Sequence, residues 1–304
     1  ITAHKDATEY LGMTIARSAC NGYIQLSQTG LLAQMLETFN ELKTRRTASS
    51  SAETNLFRRP TEGFEAETYL DQRLFLSVVM SLMYVARLTR PDVLLPVTYL
   101  ASRAHCPVQL DLKHVGRALD FLTATSQKCI TIHCTDLQLH VQVDASWNVH
   151  SDGMSHTGAV FSLGKEHSYL QACSCKQKLQ AQSSTDAEII GECDMLKRCL
   201  HMRATIAEIG LEPVQPMVFY QDNQSGITLT NEDSKAKRSK HLLSRICFIR
   251  YHIRMGMLKV HYLHTDSMDA DSLTKPTQGT KFRTHFDNIM GKQWAAMIVD
   301  NADV

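Results

Sequence analysis

The sequence predicts an α/β (α+β) fold in which a mixed five-stranded sheet with flanking helices follows a mostly helical region. Polar and apolar residues alternate at 139–144, which is typical of a strand. Short apolar runs predict the other strands, at 158–163, 169–173, 217–220 and 258–263. Helical periodicity predicts helices at 184–209, after Asn223, at 242–255 and at 269–275. This order of strands and helices favours a mixed sheet with helices on its faces.

The first 68 residues predict a hairpin, a helix and a linker. Two predicted strands, at 10–15 and 23–26, flank Asn21-Gly22, which is a strong hairpin-turn signal. A helical pattern follows at 31–39. Residues 44–68 are rich in Ser, Thr, Glu and Arg and show no sustained period, as expected for a linker.

Residues 69–135 are predicted to be helical in three pieces. Leu74, Val78, Leu82 and Val85 form an apolar stripe on the first helix. A second helix begins at Pro91, because proline is tolerated in a first turn. A third helix is predicted at 108–123.

The composition is that of a globular protein and excludes several functional classes. With 43% hydrophobic and 21% charged residues, the 304-residue chain is neither disordered, collagenous nor coiled coil, and at about 150 residues per domain its length favours two domains. Lys and Arg total 32 against 31 Asp and Glu, which excludes a uniformly basic coat but not a locally basic face. Nine cysteines without a CxxC pair argue against a disulfide scaffold and a zinc site, and favour a reducing compartment.

The chain shows neither a membrane signal nor a secretion signal. Its longest apolar run, at 74–86, is shorter than the ~20 residues that a membrane span requires, so we expect no membrane partner. The N-terminal stretch has no apolar signal-peptide core and no initiator methionine. We therefore expect a fragment or a processed product of a longer chain.

Four acidic residues occupy the ends of predicted elements in the second half of the chain. Asp144 ends a strand, Glu188 lies in the first turn of the long helix, Asp222 follows a strand and Asp271 begins the last helix. Carboxylates that converge repel one another unless metal ions neutralise them, and oxygen ligands suit Mg²⁺. Two such ions about 3.5–4 Å apart can clamp the attacking water and the leaving oxygen of a phosphodiester.

Each of these acids also has a structural interpretation. Thr185 and Glu188 fit a capping box in which Glu188 is the third helical residue. Asp222 fits a plain helix start, and Asp271 in a first turn favours the helix dipole without any metal. Spacing alone does not decide between the metal site and these interpretations.

Nine short motifs occur in order along the chain. In the first half they are YLGM at 10–13, IQLSQ at 24–28, SLMY at 81–84 and TRPD at 89–92. In the second half they are DASW at 144–147, SSTDAE at 183–188, YQDNQ at 220–224, KH at 240–241 and ADSLTKP at 270–276. This ordered set resembles the C-terminal part of the Pol polyprotein of copia-type LTR retrotransposons.

The resemblance implies an organisation and a set of site residues. It implies the end of a reverse transcriptase palm with thumb and linker at 1–68, a helical connection region at 69–135, a ribonuclease H-like domain at 136–280 and a tail at 281–304. It further implies that four acids are catalytic and bind two Mg²⁺ ions, for which Mn²⁺ can substitute: Asp144, Glu188, Asp222 and Asp271.

Three departures from the family pattern indicate a diverged copy with weakened activity. Ser146 stands where the family usually has a second acid. Leu242-Leu243 replaces an Ile-Asp pair, and residues 154–158 replace an Arg-Ser-Thr-Thr-Gly stretch. None of these changes removes one of the four acids.

A basic segment lies between the third and fourth of these acids. Residues 235–259 contain eight Lys or Arg and no acid, so we predict contacts to a nucleic-acid backbone through Lys235, Lys237, Arg238, Lys240, His241 and Arg245. The alternative is a solvated helix face. For His241, proton transfer at the site competes with a phosphate contact and with a buried structural role.

The sequence thus favours a magnesium-dependent ribonuclease H that cuts the RNA strand of RNA–DNA hybrids, with the rest of the Pol polyprotein as its partner. No polymerase activity is expected from the chain alone, because it contains no Asp-Asp polymerase motif. The alternative is an inactive or domesticated remnant that binds nucleic acid. By resemblance the location is the cytoplasm, in a virus-like particle, with the nucleus as an alternative. The oligomeric state stays open.

Overall fold

A computed structural model describes residues 7–18, 22–60, 62–165, 169–231 and 240–291. The chain divides into two compact units. The first, called here the helical unit, comprises Ile1–His133 and Pro276–Val304. The second, called here the sheet unit, comprises Cys134–Lys275. The predicted segments 1–68 and 69–135 thus share one unit up to His133, and the end of the predicted 136–280 segment joins them from Pro276 onwards.

The helical unit contains a small antiparallel sheet. Its strands, in spatial order, are β1 (Glu9–Tyr10), β2 (Met13–Arg17), β3 (Tyr23–Ser27) and β4 (Ile130–His133). The strand β3 matches the predicted strand at 23–26, but the predicted strand at 10–15 is divided between β1 and β2 by a turn at Leu11-Gly12, where both residues have positive φ. Asn21 of the predicted turn between β2 and β3 lies outside the described residues. The strand β4 was not predicted, because four residues are too few to show an alternation.

Helices form the bulk of the helical unit. They are α1 (Thr29–Thr38), α2 (Gln72–Leu88), α3 (Leu94–Arg103) and α4 (Gln109–Ala124). The helix α2 begins where the Asp71 side chain accepts a hydrogen bond from the Leu74 amide. It buries Val78, Leu82 and Val85 of the predicted apolar stripe, and Leu74 is half-buried.

A buried ion pair follows α2. The Arg90 guanidinium donates through Nε to Asp92 Oδ1 at 3.0 Å and through a terminal nitrogen to Asp92 Oδ2 at 2.9 Å. Another terminal nitrogen donates to the Thr125 carbonyl at 2.9 Å. The two charged side chains are 1% and 0% exposed, so the core of this unit contains a fully hydrogen-bonded charge pair.

The sheet unit is built on a mixed sheet of five strands. These are β5 (Gln138–Ser146), β6 (His156–Leu163), β7 (Tyr169–Lys176), β8 (Val214–Gln221) and β9 (Leu258–Tyr262), and the spatial order is β7-β6-β5-β8-β9. The pairs β5–β6 and β6–β7 are antiparallel, whereas β5–β8 and β8–β9 are parallel. The predicted mixed five-stranded sheet with flanking helices is confirmed.

Three helices complete this unit: α5 (Ser184–Glu208), α6 (Gln224–Asn231) and α7 (Leu243–Arg254). Apolar side chains of β5 and β8, including Val141, Val143 and Phe219, share one hydrophobic core with α5 and α7. Residues on the two faces of β5 alternate, so Asp144 points to the sheet face opposite to Val143. Among the described residues, no helix has the length and apolar character that crossing a bilayer requires.

The predicted last helix at 269–275 is wrong in type. Residues Asp269–Leu273 form a buried 3-10 turn, and such tight turns rarely extend beyond one turn. This turn lies directly on Gly158 of β6: a Cβ added there would be 2.7 Å from the Ala270 carbonyl oxygen and 2.8 Å from the Leu273 Cβ. Glycine is therefore what lets the turn approach the sheet.

The chain then returns to the helical unit as α8 (Gly279–Ile289). The ring of Phe282 meets Phe121 of α4 edge to face, with ring centroids 5.6 Å apart. The Gln278 side chain accepts a hydrogen bond from Ser50 at 2.6 Å. These contacts join α8 to elements that precede the sheet unit in the chain.

Candidate active site

Three of the four predicted acids meet at one point of the sheet unit. Asp144 lies near the end of β5, Asp222 directly follows β8 and Glu188 lies on α5. One carboxylate oxygen from each of them lies within 4.8 Å of the other two. The strands β5 and β8 are parallel neighbours, so their carboxyl ends open on the same edge of the sheet, where such sheets commonly bind ligands.

The capping interpretation of Glu188 is wrong. The helix α5 begins at Ser184, and its cap is Ser183, whose hydroxyl accepts from the Asp186 amide at 3.1 Å. Glu188 is therefore the fifth helical residue, beyond the reach of a capping box. Its Oε1 instead accepts a hydrogen bond from the Ala145 amide of β5, at 3.2 Å.

The capping interpretation of Asp222 is wrong as well. Asn223 caps α6, because its Oδ1 accepts from the Gly226 amide at 2.9 Å. The Asp222 carboxylate accepts instead from the Thr265 hydroxyl at 2.8 Å. The carboxylates of Glu188 and Asp222 thus belong to the group of three acids, and neither caps a helix.

Burying the negative charges of Asp144 and Glu188 costs free energy. Asp144 is 2% exposed and Glu188 is 4% exposed. Burial raises the pKa of Asp144 to about 6, against the opposing influence of Lys275 and Thr274 and with help from Asp271 and Asp222. Burial also raises the pKa of Glu188 well above its ordinary value, and the carboxylates of Asp144 and Asp222 raise it further.

Asp271 lies close to the group but makes different contacts. Its carboxylate forms an ion pair with Lys275, whose Nζ is also 3.8 Å from Asp144 Oδ2. The Thr274 hydroxyl donates to Asp144, and it lies 3.1 Å from the Asp271 carbonyl oxygen. Thr274 and Lys275 were missed from the sequence as site residues, although the four-residue spacing of Asp271 and Lys275 was a usable signal.

The three grouped acids fit a divalent metal ion. All the ligand atoms are hard oxygens, which suit Mg²⁺ or Mn²⁺. The Glu188 Oε2 atom is buried and has no hydrogen-bond partner among the described residues. A buried carboxylate oxygen without a donor is costly, and a cation bound between the three acids would remove that cost.

A further acid, missed by sequence reasoning, lies one helical turn beyond Glu188. Glu192 is fully buried, and its Oε2 accepts from the Gln221 side-chain amide at 3.0 Å. Burial raises the pKa of Glu192 to about 8, and the Gln221 hydrogen bond opposes this rise only in part. An acid on the core-facing side of a helix, four residues after Glu188, was the available signal.

The predicted nucleic-acid-binding residues fall into two groups. Lys235, Lys237 and Arg238 lie outside the described residues, as does the side chain of Lys240, which begins the 3-10 turn Lys240–Leu242. His241 Nε2 is 3.2 Å from Asp186 Oδ2, and an Arg245 nitrogen is 2.8 Å from Asp194 Oδ1. The basic segment has no acid of its own, but acids of α5 pair with these two residues of its described part.

Sequence comparison identifies relatives over nearly the whole chain. The chain is 30% identical over 284 residues to the retrovirus-related Pol polyprotein from transposon TNT 1-94 of Nicotiana tabacum. It is 28% identical over 289 residues to that from transposon RE1 of Arabidopsis thaliana. The chain is a homologue of copia-type Pol polyproteins. These alignments cover 91% and 94% of the chain but only 21% and 19% of the relatives, so the chain spans about a fifth of a Pol polyprotein.

No protein-family model matches the chain. Comparison with solved structures gives weaker similarities than the sequence comparison. A foamy viral protease-reverse transcriptase in complex with RNA/DNA hybrid is 14% identical with a TM-score of 0.44, covering 85% of the chain and 29% of that protein. LC11-RNase H1 in complex with RNA/DNA hybrid is 13% identical with a TM-score of 0.34, covering 51% of the chain and 99% of that protein.

Proposed function

We propose that the sheet unit is a divalent-metal-dependent ribonuclease H, which cleaves the RNA strand of RNA–DNA hybrids as part of a Pol polyprotein. The observation that carries the proposal is the group of Asp144, Glu188 and Asp222, with one oxygen of each within 4.8 Å of the others. The homology to retrovirus-related Pol polyproteins supports the same reaction class.

The chain positions each of the three carboxylates with a separate donor. Thr274 holds Asp144, the Ala145 amide holds Glu188 and Thr265 holds Asp222. A neutral donor fixes the direction of a carboxylate without cancelling its charge, which leaves the group able to bind cations. When bound, Mg²⁺ or Mn²⁺ would activate the attacking water and stabilise the charge that develops on the scissile phosphate.

The hybrid would be held by its backbone rather than by its base sequence. Phosphates attract Lys and Arg, and the minor groove of a hybrid displays the RNA 2′-hydroxyls. Because His241 and Arg245 are already paired with Asp186 and Asp194, we assign the phosphate contacts first to the preceding basic residues of the sequence, Lys235, Lys237, Arg238 and Lys240.

The proposal is tested with Asp222→Asn in a magnesium-dependent cleavage assay on a labelled RNA–DNA hybrid. Asn keeps the shape of the side chain and its hydrogen bond with Thr265 but loses the charge. We expect the cleavage rate to fall by at least about 10³-fold, or about 4 kcal/mol. The matched control is Asp152→Asn, which removes an equal charge from an exposed ion pair with Lys176 and should cleave at the parent's rate.

Two outcomes would contradict the proposal. If Asp222→Asn cleaves as fast as the parent, the carboxylate does not bind the catalytic ion. If the parent binds the hybrid but does not cleave it, the chain is the nucleic-acid-binding remnant that the substitution at Ser146 also suggests.

A further inference from the structure

Lys275 brings a positive charge into the carboxylate site. Its ammonium group forms an ion pair with Asp271 and lies 3.8 Å from Asp144 Oδ2. An ammonium group that pairs with one buried carboxylate and lies close to a second serves two acids at once.

We propose that Lys275 is a built-in counter-cation, which neutralises Asp144 and Asp271 when no divalent ion is bound and is displaced from Asp144 when one binds. This inference rests on the proposed function, because it presumes that Asp144 is a metal ligand. It assigns to Lys275 a positioning role, distinct from contact with the substrate.

The difference in burial between the partners supports displacement. The side chains of Asp144 and Asp271 are 3% and 2% exposed, whereas that of Lys275 is 46% exposed. The acids are thus enclosed by the protein, whereas nearly half of the lysine side chain is exposed to water. A lysine side chain of this kind can leave its partners by rotation about its own bonds, without any change in the backbone.

Coulomb's law predicts how the charge of Lys275 changes the affinity of the site for a divalent ion. A unit charge near Asp144 repels an incoming divalent ion, and this repulsion is strong because the site is mostly shielded from water. Removing the charge should therefore tighten metal binding. It should also destabilise the metal-free protein, since Asp144 and Asp271 would lose their cation. A lysine that merely belonged to the surface would have neither effect.

The structure also suggests a consequence for Asp271. Its carboxylate is engaged by Lys275 and does not belong to the group of three acids whose oxygens lie within 4.8 Å of one another. The ion pair with Asp271 is therefore separate from the contact with Asp144 that a bound ion would break.

The test measures Mn²⁺ binding to the full chain by calorimetry, without nucleic acid, together with the melting temperature in a chelator. We expect Lys275→Met and Lys275→Gln to bind Mn²⁺ about tenfold more tightly than the parent and to melt about 2–4 °C lower without metal. Lys275→Arg should behave like the parent. The matched control, Lys176→Met, removes a lysine from the ion pair with Asp152 and should not change Mn²⁺ affinity.

The results separate this inference from the proposed function. Unchanged or weaker Mn²⁺ binding in both neutral variants would overturn the counter-cation role of Lys275, while normal binding by the parent would leave the metal site standing. If neither the parent nor the variants bound Mn²⁺, the proposed metal site and the role of Lys275 would both be wrong.

Discussion

The two units bury charge in opposite ways. In the helical unit, Arg90 and Asp92 are 1% and 0% exposed, and each neutralises the other. In the sheet unit, Asp144 and Glu188 are 2% and 4% exposed and lie beside Asp222, which has the same sign. The degree of burial is nearly equal, but Asp92 has a buried cation of its own, whereas the three acids have near them only the half-exposed Lys275 among the described residues that form ion pairs with them.

This difference separates a structural charge from a functional one. A buried pair that satisfies its own hydrogen bonds has no need of a ligand, whereas buried like charges raise their own pKa values and are stabilised by an added cation. Buried acids that lack enough positive charge nearby therefore indicate a functional site, whereas a buried charge with its own partner does not.

The largest change in stability should come from removing one partner of the Arg90–Asp92 ion pair. Arg90→Met leaves Asp92 buried without its partner, and we expect the free energy of unfolding in urea to fall by about 3–5 kcal/mol. The double variant Arg90→Met, Asp92→Leu removes both charges and should recover most of that loss. A loss in the single variant no greater than in the double variant would show that the pair is not the stabilising feature.

Removing a charge from the group of Asp144, Glu188 and Asp222 should increase stability rather than reduce it. In metal-free buffer, Glu188→Gln should raise the free energy of unfolding by about 1–3 kcal/mol, because the amide can donate to a neighbouring carboxylate. Adding Mn²⁺ should stabilise the parent more than the variant. Urea unfolding with and without Mn²⁺ tests both statements, and a metal-free variant less stable than the parent would contradict the comparison.

Glu192 should make stability depend on pH. Its pKa is near 4.5 in the unfolded chain and is raised to about 8 in the folded protein. Between these values only the folded state keeps the proton, so stability is highest at low pH and falls as pH rises, by at most about 1.4 kcal/mol per pH unit, levelling off above about pH 8.

The matched variant for this prediction is Glu192→Gln, which cannot titrate. In metal-free urea unfolding between about pH 5.5 and pH 8, it should lose less stability than the parent. Asp144 and Glu188 contribute a slope of the same sign in both proteins, so the difference between the two slopes isolates Glu192. Equal slopes would mean that Glu192 is ionised in the folded protein.

Charges of the basic segment should give the smallest change in stability. Changing Lys237, Arg238 and Lys240 together to Gln should alter the free energy of unfolding by less than about 0.5 kcal/mol. It should nevertheless lower hybrid affinity and flatten its dependence on salt by up to about three logarithmic units per decade. An equal salt slope in parent and variant would contradict phosphate contact. The control removes as many charges elsewhere, at Lys43, Lys128 and Lys178.

The sequence predicted the sheet unit better than the helical unit. The strand at 139–144 is predictable because alternation persists along it, and the structure extends it to Gln138–Ser146. The strand β4 is not, because it pairs with β3 across about a hundred intervening residues, as in the register Tyr23 with His133. Pairing at such distances is a tertiary effect that a local pattern does not contain.

The sequence named the three acids that the structure groups, but not their hydrogen-bond partners. Local spacing made Glu188 a candidate cap, and only the position of Ser183 places it in the second turn of α5. The partners Ala145 and Thr265 come from other elements, so no local pattern reveals them. Lys275 and Glu192 had local signals, but their significance depends on burial, which spacing does not give.

The close approach at Gly158 has a consequence for how copies of this element diverge. Every single-base change that replaces glycine adds a Cβ, and here that atom would fall 2.7 Å from the Ala270 carbonyl oxygen and displace the turn that carries Asp271. Copies under selection for nuclease activity should therefore accumulate only silent changes in this codon. Copies that have lost the activity should accumulate changes at all three bases of this codon alike.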